Sequence, residues 1–167
     1  ERRLPPGDIS LTPRERGSLE GVRLLVEEQL FWCVIYWRYY LDRCKVFLKT
    51  QRFSKFLNFA FPYFMGWPIK RKCKMQGIAT HTAEEVYIIT KQTCKALDDY
   101  LGNEEFFCGK FPGTADCAVF GGLAQIMWNA PGSKYEKLVT EVFPSLSSYC
   151  NRMKERVFPD WEQIICT

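Results

Sequence analysis

The stretch Gly113-Thr114-Ala115-Asp116-Cys117-Ala118-Val119-Phe120-Gly121-Gly122-Leu123-Ala124-Gln125-Ile126-Met127-Trp128 carries one charge, Asp116, in sixteen residues. Apolar side chains fall on every side of a helix drawn through it. A helix that is apolar all round has to be covered all round. This segment is therefore expected to be the buried central helix, opened at Gly113-Thr114-Ala115-Asp116 and ended by Pro131-Gly132.

Working outward, the flanks supply helices to cover it. Thr12-Pro13-Arg14-Glu15 is a helix start: Thr12 can cap, Pro13 at the first position loses no bonded N–H, and Glu15 completes a capping box. Val22, Leu25, Val26, Leu30, Cys33, Trp37 and Leu41 then recur at helical spacing with no Gly or Pro after Gly21. One long helix to about residue 42 is predicted, apolar all round from Leu30 to Trp37. Thr82-Ala83-Glu84-Glu85 is a second capping box, opening a helix through Val86, Ile89, Leu97 and Tyr100 to a stop at Gly102. Phe106 to Gly109 reads as a short extended stretch. Ser133 with Glu136 caps a short helix to Phe143, and Pro144 opens another to about Val157. Residues 1–11, with Pro5, Pro6 and Gly7, show no periodicity and read as a linker or strand remnant. No strand pattern of any length is present, so the fold class is all-α, a helical bundle.

The chain of 167 residues has 47% apolar and 25% charged residues and a mean hydropathy of −0.22, the balance of one globular domain. It opens on Glu1 with no charged-then-apolar leader, so no signal peptide is expected and the chain reads as a piece of something longer. The eight cysteines lie nine or more residues apart, and there is one histidine, which rules out zinc-ligand spacing. Reduced, buried thiols of a cytoplasmic protein are the preferred reading over a secreted disulfide framework.

Charge is concentrated. Arg43, Lys45, Lys49, Arg52, Lys55, Lys70, Arg71, Lys72 and Lys74 fall in a segment with no acid, while the other 135 residues carry a net −5. The same segment holds Phe47, Phe53, Phe56, Phe59, Phe61, Tyr63, Phe64 and Trp67. Such a patch points to an anionic partner, with a membrane surface ahead of nucleic acid, for which no binding motif accompanies the charge. Phe56 to Ile69, uncharged and interrupted by Pro62, Gly66 and Pro68, is too short to span a bilayer. The two readings are a helix end and loop packed on the core, which is preferred, and a segment lying in a membrane interface.

The order of these elements resembles the carboxy-terminal helical domain of the glutathione transferase fold. Asp116 stands where that family places the aspartate of its central-helix start, although Gly113 replaces the usual Ser or Thr cap. The text around it is more specific. Met75 to Tyr87, Glu27 to Trp32, Ala115 to Gln125, Tyr149 to Met153 and Phe158 to Trp161 resemble segments of the failed axon connections proteins and their metaxin-like relatives. The resemblance implies a domain over residues 12–161 and a tail at 162–167. It implies a preceding thioredoxin-like domain, absent from this chain, as the natural partner and as the source of any glutathione site. This half alone would then be inactive, with no cofactor of its own. Relatives are associated with axon development, stress response or, for the metaxins, mitochondrial import. A homodimer and membrane association stay open, and no nucleic acid is expected.

The domain has three readings: a binding or interaction module, the substrate half of an active transferase, or a peripheral membrane module working through residues 43–74. Trp32, Tyr36 and Tyr39 share one helical face and are the candidates for a hydrophobic cleft, by resemblance to transferases whose first long helix lines one. Core packing is the alternative for the same three. Asp116, with Gly113, is assigned to the helix start rather than to acid–base work. His81 has no partner that would make it a base or a ligand. No catalytic residue and no metal site is assigned.

Overall fold

The computed structural model describes residues 5–50 and 55–161, and among these every regular element is a helix, with one isolated β-bridge. Helix α1 is one turn, Pro6–Ile9, in the stretch expected to be aperiodic. Gly7 and Asp8 are tied to the start of the central helix: Gly7 N donates to Pro112 O at 3.2 Å and Asp8 Oδ1 accepts from Thr114 N at 3.0 Å. The proposed tail at 162–167 and residue Arg52 lie outside the described residues.

Helix α2 is the predicted long helix. It starts at the Thr12 capping box, with Thr12 N donating to Glu15 Oε2 at 2.7 Å and Glu15 N to Thr12 Oγ1 at 3.3 Å. It runs through Pro13–Leu24, Leu25–Leu30, Phe31–Ile35 and Tyr36–Leu41 without a break. The second and fourth of these segments are wide turns. Phe31 N donates to Val26 O, and Asp42 N to Trp37 O at 2.8 Å, each spanning five residues instead of four.

A short helix, α3 (Lys45–Thr50), is followed by α4 (Lys55–Gln76). The expectation of a loop packed on the core is corrected here: Pro62 and Pro68 both sit inside a 22-residue helix. A proline removes one N–H and crowds the carbonyl four residues back. The carbonyl that Pro68 leaves without a helical donor is that of Phe64, an exposed residue, so water can serve it. Among its described side chains α4 packs inward through Gly66, Ile69 and Cys73, and Phe61 lies 6.0 Å from the Phe47 ring. Among the described residues no helix is long and apolar enough to cross a membrane.

A left-handed Gly77 (φ 106°) and the tight turn Ile78–Thr80 lead to α5 (Ala83–Leu101), whose Thr82–Glu85 capping box matches that of α2. Phe106 and Gly109 exchange two backbone hydrogen bonds in a tight loop. Helix α6 (Thr114–Met127) is the central helix, with Val119, Leu123 and Ile126 at most 1% exposed. Helix α7 (Lys134–Lys137) continues as the wide turn Leu138–Val142, and α8 (Pro144–Val157) closes the bundle.

The main core lies around α6, between α2, α5, α7 and α8. A smaller cluster of Cys33, Tyr36, Cys73, Ile78 and Val86 joins the far half of α2 to α4 and the start of α5. Where α2 crosses α6, a Cβ on Gly122 would come within 2.5 Å of Val26 Cγ1, so only glycine permits this approach.

Candidate functional site

The far end of α2, the turn after it, α3 and α4 enclose a surface depression of about 430 Å³. Among the described residues it is lined by Tyr39, Arg43, Cys44, Lys45, Leu48, Phe59, Pro62 and Lys70. Three cations and a phenol occupy part of the wall, and Cys44, Leu48, Phe59 and Pro62 the rest. No acid occurs between Asp42 and Glu84. Asp42 itself accepts from Val46 N at 2.7 Å, starting α3.

The turn that positions Arg43 is unusual. Arg43 (φ 53°) and Cys44 (φ 63°) are both left-handed, a conformation that costs a non-glycine residue on the order of 1–2 kcal/mol. A local bond and burial hold it: Cys44 N donates to Arg38 O, six residues back, at 2.7 Å, and Cys44 is 1% exposed. Burial, then the neighbouring Asp42, pushes the Cys44 thiol up to about 11. Burial and Cys44 also raise Tyr39, which keeps its hydroxyl as a donor at neutral pH.

Behind the turn lies a buried cation. Arg38 is 6% exposed, and its Nη2 donates to Gln125 Oε1 at 3.0 Å and Gln125 O at 3.3 Å. Its guanidinium stands 5.0 Å over the Phe47 ring, and its Nε has no hydrogen-bond partner. Among the described residues no carboxylate pairs with it. Burial lowers its pKa from the ordinary value.

The structure keeps Trp32 and Tyr36 together and sets Tyr39 apart. Trp32 is half-buried, packed against the smaller cluster and edge-on to Phe31 at 5.4 Å. Tyr36 is 4% exposed, stacked on Tyr40 at 5.0 Å, with its hydroxyl donating to His81 O at 3.5 Å. Only Tyr39 reaches the depression. Tyr39 leaves the face that Trp32 and Tyr36 share because it lies in the wide turn Tyr36–Leu41, which takes up an extra residue and rotates the later positions.

The basic residues also divide. Arg43, Lys45 and Lys70 converge on the depression, with Lys70 Nζ lying 5.2 Å from the Tyr40 ring. Lys49 is exposed on α3, and Arg71, Lys72 and Lys74 are exposed on the last turns of α4. Arg52 and the Lys55 side chain lie outside the described residues. Among the described ion pairs none involves this patch. On α4, Phe59, Phe64 and Trp67 are 72%, 78% and 70% exposed, so the aromatics are presented beside the charge rather than folded under it.

At the start of α6, the Asp116 carboxylate is fully buried and accepts from Phe107 N (2.8 Å), Gly113 N (2.9 Å) and Cys108 N (3.2 Å). These bonds are structural. His81 is exposed and 3.8 Å from Glu85. Among the described residues no metal-binding cluster exists, and all seven cysteines are free.

A family model described as glutathione S-transferase, C-terminal domain, matches residues 90–153, which run from α5 through α6 and α7 into α8. Failed axon connections of Drosophila melanogaster is 30% identical over 174 residues, 96% of this chain and 41% of that protein. The chain carries a glutathione S-transferase C-terminal domain of the failed axon connections and metaxin-like family. Metaxin-2 of Mus musculus is 31% identical over 105 residues, 63% of this chain and 40% of that protein. The metaxin-1 homolog of Caenorhabditis briggsae is 28% identical over 122 residues, 72% of this chain and 38% of that protein. No solved structure matches. This glutathione S-transferase-type domain spans about two fifths of the length of the curated relatives it matches.

Sequence reasoning missed two contributors to this domain's surface. The left-handed pair Arg43–Cys44 has no Gly or Asn to announce it, and Arg38 reads as one more cation on a helix. The break in apolar periodicity after Leu41 was the available signal for the turn.

Proposed function

We propose that this domain is a binding module that seats on an anionic membrane surface through α4 and the α2–α3 turn. What carries the reading is the pairing of Phe59, Phe64 and Trp67, all about three-quarters exposed, with Arg71, Lys72 and Lys74 on the same helix. An exposed aromatic side chain in water forgoes roughly 1.5–3 kcal/mol of burial. Each cation near an anionic leaflet contributes about 1 kcal/mol, screened by salt. The aromatic half of α4 would lie at the headgroup level, with the cations over the phosphates.

The test is co-sedimentation of the full-length protein with phosphatidylcholine vesicles, with and without phosphatidylserine. Binding is expected only with phosphatidylserine, weakening as salt rises. The exposed-face variant Phe64→Ser/Trp67→Ser is expected to stay in the supernatant while keeping its helical circular dichroism. Wild-type protein that fails to sediment with anionic vesicles at low salt would sink the reading.

A further inference from the structure

We propose that the depression between Tyr39, Arg43, Lys45 and Lys70 is a pocket for the phosphate ester of an anionic lipid headgroup. The inference rests on the membrane reading for the source of that phosphate. The cations of the patch are of two kinds. Lys74 stands in the last turn of α4, where any helix favours positive charge, and Lys72 is exposed just before it, outside the depression, so neither needs a ligand to explain it. Arg43, Lys45 and Lys70 have no such reason. They come from two separate places in the chain, the α2–α3 turn and α4, and meet around one concavity.

The concavity is built, not incidental. Arg43 reaches it from a left-handed residue followed by a second one, and that strained turn is held by the Cys44–Arg38 and Val46–Asp42 hydrogen bonds. A guanidinium can grip a phosphate with two parallel bonds, the ammonium groups add point charge, and the protonated Tyr39 hydroxyl adds a neutral donor. Arg38, the residue before Tyr39, is buried with its Nε unpartnered and in no ion pair, and the nearby Asp42 offsets part of its charge. The remaining wall, Leu48, Phe59 and Pro62, is apolar. A group charged at one end and esterified to an apolar body matches both halves. Phe59 is also on the aromatic stretch that would enter the interface, so one helix would serve both contacts.

The test uses full-length protein and monomeric, short-chain dihexanoyl phosphatidic acid in calorimetry, with dihexanoyl phosphatidylcholine and inorganic phosphate as comparisons. The phosphatidic acid is expected to bind more tightly than either. Arg43→Gln/Lys45→Gln is expected to weaken it about tenfold or more, since bonds between charged groups are lost. Tyr39→Phe, which keeps the ring, is expected to weaken it less. Lys72→Gln/Lys74→Gln should leave it unchanged while weakening vesicle binding. If the two double variants lower short-chain binding equally, the pocket is overturned although membrane docking stands. Inorganic phosphate binding as tightly as phosphatidic acid would overturn the lipid as the source. Tight short-chain binding without any vesicle binding would instead overturn the docking reading and support the pocket as a site for a soluble phosphate ester.

Discussion

Asp8 and Thr114 are 106 residues apart, and Asp8 Oδ1 accepts from Thr114 N at 3.0 Å while Oδ2 accepts from the Thr114 hydroxyl. In effect α6 is capped from another part of the chain. This explains why Gly113 has no side chain: a Cβ there would lie 2.3 Å from Asp8 Oδ1 and 2.4 Å from Cys108 Sγ. A local Ser or Thr cap and the Asp8 cap would compete for one volume. Asp8→Ala is expected to lower stability by about 1 kcal/mol, the worth of a cap. Asp116→Ala is expected to cost more, about 3 kcal/mol or above, because three buried N–H donors lose their acceptor. Gly113→Ser should destabilise the wild type and be better tolerated in the Asp8→Ala background. Urea denaturation of the wild type, Asp8→Ala, Gly113→Ser and the combined variant forms a double-mutant cycle; strictly additive losses would contradict the shared volume. Asp116 was legible in the sequence as a helix-start acid, since its Gly113 partner is three residues away. Asp8 was not, because nothing local to either residue connects it to Thr114.

At the scale of elements, helix starts depend on bonds spanning three or four residues, and both Thr capping boxes are found where the residues place them. Faces are harder. Two wide turns in α2 shift its register, which is why Tyr36 is in the core and Tyr39 on a surface that helical spacing would have them share. Adjacent glycines in α6 make a test of how closely α2 and α6 approach. Gly122 faces Val26 with no room for a methyl group, while Gly121 has nothing within 4 Å. Gly122→Ala is expected to destabilise by about 1–3 kcal/mol through overpacking. Gly121→Ala is expected to stabilise by about 0.5–1 kcal/mol, the helix-propensity gain. Thermal denaturation should move the midpoints in opposite directions, and a shared sign would mean the two helices are not in this contact.

For the whole molecule, buried titratable groups set an alkaline limit. Burial pushes the thiols of Cys94, Cys108 and Cys150 up to about 12, with Asp116 and Asp8 adding to the rise at Cys108. An unfolded chain gives up its thiol protons near pH 8.5. Unfolding above that value therefore releases protons that the fold retains. Stability is then complete below about pH 8.5 and falls as pH rises toward the folded values. Tyr135 and Tyr149, raised chiefly by burial, steepen the fall above about pH 10. Urea midpoints should be flat near neutrality and decline through about pH 9–11, less steeply in Cys94→Ala; a midpoint unchanged over that range would contradict the burial of these groups.

The amino-acid sequence determined the all-helical class, the central helix, the positions of the caps and the separation of charge into one segment. Each of these comes from residue type and short-range spacing, because helix bonds and helix faces are local. The tertiary structure decided what depends on distant segments meeting. It brought Asp8 to Thr114 and left Phe64 and Trp67 outside the core despite their hydrophobicity. It also gathered Arg43, Lys45, Lys70 and Tyr39 around one depression while Trp32 and Tyr36 packed elsewhere. The physical reason is the same in each case. Each depends on segments far apart in the chain packing together, which no local rule specifies; at Arg43 and Cys44 that packing also offsets about 1–3 kcal/mol per left-handed residue.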